Sequence, residues 1–257
     1  MLSLEEQSRI RDAVARVALR ATAAIKSRSS ASQAIQFIDI LHTNIDRTVD
    51  AENRAGPEPA CKPGCAHCCA LRVEVTDAEA LRIAAHVRTL PPATVESLSA
   101  QLQHNLHVHG QRPLPLPLPA SVRTPCAFLA DRLCSIYAIR PAVCRKGHSL
   151  SVVACEAHAP EIPQNLSLLL KCETLIEGAK QGYRTNKLPA ETSELSAAVM
   201  AALSSPAASD SWYRGVPVLS PPDRTDGEAT PSPTGLTWPA HVRPEPAAAI
   251  PQSESPP

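Results

Sequence analysis

Cys61-Lys-Pro-Gly-Cys65-Ala-His-Cys68-Cys69 puts four thiols into nine residues, in the pattern C-x3-C-x2-C-C. Pro63-Gly64 between the first two is a turn signal, and a turn there lets the chain double back so that several sulfurs face one point. A second set, Cys126, Cys134 and Cys144, lies between Pro125 and Arg145. Thiols this dense, in a chain whose N-terminus has no signal-like apolar run, point to a bound metal in a reducing, cytoplasmic compartment rather than to disulfides. The total of nine cysteines is odd, which also argues against a complete disulfide framework.

A tetrahedral zinc takes four nitrogen or sulfur ligands. Cys61, Cys65, Cys68, Cys69, Cys126, Cys134 and Cys144 supply seven, and one histidine completes the eight that two closed sites need. His148, four residues past Cys144, is the expected eighth; His67 is the other candidate, and Cys155 is an auxiliary one. Adjacent side chains diverge along the backbone, so Cys68 and Cys69 serve two metals, or two irons of one cluster, more readily than a single ion. Thiolates also hold iron–sulfur clusters, and C-x3-C-x2-C is the spacing of radical S-adenosylmethionine enzymes. Those enzymes need a large α/β barrel that this chain has neither the length nor the strand pattern to form. Zinc, iron and an iron–sulfur cluster all stay open as cofactors. No carboxylate–histidine pair lies near the cysteines as a general base, which favours a structural or stored metal over a catalytic one. Arg140, Arg145 and Lys146 read either as cations that offset thiolate charge or as surface charge. Cys172 reads as a buried free thiol in a leucine-rich helix.

Outward from the cysteines the chain is mostly α: a small helical domain with irregular cysteine-rich loops around a metal centre, followed by a disordered Pro-rich tail. Ser3 with Glu6 forms a capping box. It opens a helix to about Ile25 whose apolar stripe is Ile10, Val14, Val17, Ala21 and Ile25. A second helix spans Ala31 to about Ala51, and the two are expected to form an antiparallel hairpin over residues 1–55. Residues 56–204 form the cysteine-cluster domain. In it Leu71–Val75 is a short extended piece, Thr76 with Glu79 caps a third helix, and Pro91-Pro92 starts a fourth that reaches Val108. Prolines alternate from Pro113 to Pro119, a polyproline connector. A leucine-rich helix runs from Pro163 to Gly182, and a short one from Ala190 to Leu203. Twelve of the 26 prolines fall in residues 205–257, and that segment cannot bury enough surface to offset its ordering entropy. Trp212, Tyr213 and Trp238 fall within it.

Lys+Arg and Asp+Glu balance at 25 each, and aromatics are only 3% of residues. Neither a basic footprint nor a stacking platform for nucleic acid is present, and no apolar run is long enough to span a membrane. With so few rings the core is expected to rest on Leu, Ile, Val and Ala, where a structural metal adds much to folding.

Four pieces in this order resemble the YkgJ-type cysteine cluster family: Cys61-x3-Cys65-x2-Cys68-Cys69, Pro125-Cys-Ala-Phe-Leu129, Cys134-Ser-Ile-Tyr137 and Arg140-Pro-Ala-Val-Cys-Arg145. The resemblance runs from Cys61 to about Cys155, with Ala127 where the family usually has proline. It implies chelation of zinc or iron by these cysteines. One relative, flagellin lysine methylase, joins a similar cluster to S-adenosylmethionine-dependent methylation. Through it the resemblance implies an alternative, an iron–sulfur enzyme that modifies protein side chains. A third reading is a metal-stabilised adaptor that recruits a protein partner through its helical hairpin or tail.

Overall fold

The computed structural model describes residues 3–109 and 124–217. The alternating prolines and most of the Pro-rich tail lie outside these residues. The expected helical class is what the chain adopts. Helix α1 (Leu4–Lys26) starts at its capping box: the Ser3 hydroxyl accepts from the Glu6 amide at 3.2 Å, and the Glu6 carboxylate accepts from the Ser3 amide at 2.7 Å. Helix α2 (Ala31–Ala55) begins on Ser30, whose hydroxyl accepts from the Gln33 amide. Strand β1 (Glu74–Thr76) feeds α3 (Asp77–Val87) through the Thr76–Glu79 capping box, and α4 (Pro92–His109) follows the expected Pro-Pro break.

The cysteine loops come next. β2 (Leu129–Ala130) and β3 (Leu133–Cys134) form a hairpin with Ala130 opposite Leu133. Its two loop residues, Asp131 and Arg132, have φ of 49° and 63°. Paired positive φ values make the turn that matches strand twist in a two-residue hairpin. Short helices α5 (Ala142–Lys146) and α6 (Val152–Glu156) lead to α7 (Leu166–Thr185). β4 (Thr192–Glu194) then pairs antiparallel with β1, Glu74 opposite Glu194, and continues into α8 (Leu195–Ser204).

Three sequence expectations change. First, α1 packs chiefly along α7 rather than forming a free-standing hairpin with α2. The reason lies in α7: a Cβ on Gly178 would stand 2.5 Å from the Val17 side chain, and one on Gly182 would stand 2.5 Å from the Ala21 Cβ. These glycines let the two backbones approach, so Gly182 is a contact residue inside α7 and not its terminator. Second, residues 205–217 are not tail: Ala208–Tyr213 form α9, and Trp212 is fully buried. The Trp212 indole N–H donates to the Pro189 carbonyl at 2.8 Å. Third, the core is not purely aliphatic. Tyr183 meets Phe37 and Trp212 edge-on, each at 5.6 Å between ring centroids, and its hydroxyl donates to the Ala34 carbonyl. Among the described residues no helix is long and apolar enough to cross a membrane.

Candidate metal centre

Lys62-Pro63-Gly64-Cys65 is a tight turn, with the Cys65 amide donating to the Lys62 carbonyl at 2.9 Å and Gly64 at φ 83°. Pro at the second position and a positive-φ glycine at the third are the residues such a turn requires. The chain then closes into a 3-10 turn, His67–Ala70, that carries Cys68 and Cys69. The hairpin is tied to this loop by the Arg132 guanidinium, which donates to the Gly64 carbonyl at 3.0 Å. A second tie is the Cys126 amide, which donates to the Cys69 carbonyl at 2.7 Å.

All nine cysteines are free thiols. Eight of them gather in two sets. Cys61 stands within electrostatic reach of Cys65, Cys68 and Cys155. Helix α6, which carries Cys155, packs on the 3-10 turn, and His67 and Glu156 approach to 3.8 Å across that contact. Cys69 in turn neighbours Cys126, Cys144 and Cys134. Cys68 lies within electrostatic reach of this second set as well, near Cys126, Cys134 and Cys144. Cys172, by contrast, is fully buried in α7. Burial pushes the Cys172 thiol up to about 12, as for the inert hydrophobe expected.

Several sulfurs are already held by the backbone. The Phe128 amide bonds to the Cys126 sulfur and the Ile136 amide to the Cys134 sulfur, but burial outweighs both and raises the two thiols, Cys126 to about 11. Arg140 and Arg145 also lower the Cys134 thiol, by less than burial raises it. The Cys68 thiol donates to the Cys69 sulfur; that bond raises Cys68 and lowers Cys69. Cys144 keeps contact with solvent, yet the protein crowding it pushes its thiol well up.

His148 is tied to the backbone through both nitrogens of its ring. Its Nδ1 is 2.9 Å from the Lys146 carbonyl and its Nε2 accepts from the Asn165 amide at 2.7 Å, so both ring nitrogens are engaged with backbone. His67, the other candidate, faces Glu156. Among the described residues no three Cys, His, Asp or Glu side chains, as placed, are close enough to grip one ion. The donor set still fits a thiophilic metal by its chemistry: reduced thiols on short turns, with backbone amides aimed at their sulfurs.

The centre is braced by groups far apart in sequence. Arg145, only 6% exposed, pairs with Asp46 on α2 and donates to the Arg140 carbonyl, and Lys146 pairs with Glu173 on α7 at 2.7 Å. So of the three flanking cations, Arg145 is a structural clamp rather than surface charge. Folding also creates the carboxylate–histidine pair that no local reading contains. Buried His42 on α2 places Nε2 3.2 Å from Glu79 Oε1, and the Ala142 amide at the start of α5 donates to the same oxygen at 2.6 Å. Burial pushes the Glu79 carboxyl up, but hydrogen bonds from His42 and the Ala142 and Thr76 amides bring it below its usual value. Glu79 is also a charged neighbour of Cys144.

Residues 60–166 match a family model, CxxCxxCC, described as a "putative zinc- or iron-chelating domain". Over this segment the chain is similar to that family. The matched segment spans every thiol of both sets, whereas α1, α2, most of α7, α8 and α9 lie outside it. No curated protein and no solved structure matches the chain. The matched segment is thus a set of cysteine loops mounted on a helical frame from both ends of the chain.

Proposed function

We propose that the matched segment holds two zinc or iron ions, one at Cys61, Cys65, Cys68 and Cys155 and one at Cys69, Cys126, Cys134 and Cys144, in a structural or storage role. The gathering of eight free thiols into two sets of four, with Cys68 between them, carries this reading. Cys155 takes the place that His148 was expected to fill, because both nitrogens of His148 are bonded to backbone. Adjacent Cys68 and Cys69, with Cys68 within reach of both sets, suit two ions better than one finger-type site. Thiolates alone complete a tetrahedral shell, and a closed shell suits a metal that holds loops together. Binding releases the thiol protons, so affinity rises with pH.

Elemental analysis and an absorption spectrum on protein purified without air test the reading. The expected result is about two metal ions per chain, in keeping with four ligands to each. Cys155→Ser should weaken binding of one of the two, while His148→Gln and Cys172→Ala should leave metal content unchanged. Iron with sulfide would recast the centre as an iron–sulfur cluster. A single tightly bound ion, or loss of metal in His148→Gln with none in Cys155→Ser, would overturn the assignment.

A further inference from the structure

The two backbone partners of the His148 ring differ in kind. Nδ1 stands 2.9 Å from the Lys146 carbonyl, and Nε2 stands 2.7 Å from the Asn165 amide. A carbonyl only accepts and an amide N–H only donates, so Nδ1 carries the ring proton and Nε2 offers its lone pair. Both bonds together need a neutral imidazole. A second proton, on Nε2, would turn the acceptor into a donor that faces the Asn165 N–H. Asn165 is the N-cap of α7, and the positive end of that helix's dipole also disfavours a cation there.

This bond closes the base of a loop. Between His148 and Asn165 lies α6, with Cys155 on it. Two further bonds cross the same base. The Gln164 side chain donates to the His148 carbonyl at 2.9 Å, and the Leu150 amide donates to the Pro163 carbonyl at 2.8 Å. From the next residue the loop reaches the first cysteines: the Ser149 carbonyl accepts from the Ala60 amide at 2.8 Å, and the Ser149 amide bonds to the Cys61 sulfur. The charged groups on the surrounding elements have other partners or are exposed. Arg145 and Lys146 of α5 pair with Asp46 and Glu173, and Lys171 of α7 pairs with Glu52 of α2. Glu156 of α6 approaches His67, while Glu58 and Glu161 on the flanking loops are exposed. None of them reaches the ring nitrogens, which the backbone occupies.

We propose that His148 is a proton-sensitive latch: neutral, it ties the loop that carries Cys155 to the cap of α7, and protonated, it lets that loop open. The latch goes beyond the two-ion reading and needs no bound ion. Its consequence for the centre is that the Cys155 side loosens first as pH falls through the histidine range, roughly 6.5.

NMR and amide hydrogen exchange on the full chain, at about pH 7.5 and about pH 5.5 on either side of that range, test the latch. At the higher pH the ring should show the tautomer with hydrogen on Nδ1. On acidification the protection factors of the Asn165 and Leu150 amides should fall about tenfold relative to those of α1, as for one lost hydrogen bond with a charge set against a donor. His148→Gln can offer an N–H to Lys146 and a carbonyl to Asn165 without taking up a proton, so its protection should be equal at both pH values. His148→Ala should be open at both. Protonation of the thiols, or loss of metal, acts on wild-type protein and His148→Gln alike. An equal fall in those two, or no fall in wild-type protein, would therefore overturn the latch. So would hydrogen on Nε2 at the higher pH, or wild-type protection in His148→Ala. Fewer than two ions per wild-type chain would overturn the two-ion reading and leave the latch standing.

Discussion

Asp77 shows how one residue can work against the fold that contains it. It is 4% exposed at the start of α3, and its Oδ2 has no hydrogen-bond partner among the described residues. Burial first, and then the neighbouring Glu191 carboxylate, push its pKa from 3.8 up to about 7. The folded state therefore holds this proton more tightly than the unfolded chain. Stability is fully retained below about pH 4 and is lost as pH rises through about 7. Asp77→Asn should leave stability near pH 4 unchanged and raise it at pH 8 by roughly 1–3 kcal/mol, discounting the full linkage value for local relaxation. Urea unfolding at the two pH values checks this, and an equal effect at both would refute it. Glu79 is the opposite case: four hydrogen bonds, from the Thr76 amide and hydroxyl, His42 and Ala142, hold its buried carboxyl ionised. The capping-box spacing marks Glu79 from sequence, but nothing local marks Asp77, two positions before it, as buried with one oxygen unpartnered among the described residues.

At the scale of elements, capping and turn chemistry were readable because they act over three or four residues. Ser3–Glu6, Thr76–Glu79 and Pro63-Gly64 all do what their spacing implies. The expected end of the leucine-rich helix at Gly182 fell short for the same reason: the cause of Gly178 and Gly182 is α1, over 150 residues away. Their close approach gives a sharp expectation. Gly182→Ala places a methyl 2.5 Å from the Ala21 Cβ and 3.1 Å from backbone, so α1 must shift. The cost should be about 1–3 kcal/mol, although alanine is the better helix former. Thermal unfolding would detect it; a stabilised variant would mean that the α1–α7 contact is loose.

For the whole molecule, the ordered frame extends past the composition change at residue 205. Trp212 is buried against Tyr183 and anchored to Pro189, so Trp212→Ala should cost about 3–5 kcal/mol. A chain ending at Ser204 should be destabilised likewise, whereas one ending at Pro217 should keep its melting temperature. Calorimetry on the two truncations separates a docked helix from a dispensable one.

The sequence by itself determined the helical class, the caps, the two cysteine clusters and the affinity of such clusters for zinc or iron, because each depends on residue type and short spacing. Tertiary structure alone brought Cys155 within reach of Cys61 and tied His148 to Asn165. It also set the His42–Glu79 pair under α5. These partners come from α2, α3 and α5, and only the burial of a common core brings such distant segments within hydrogen-bonding range.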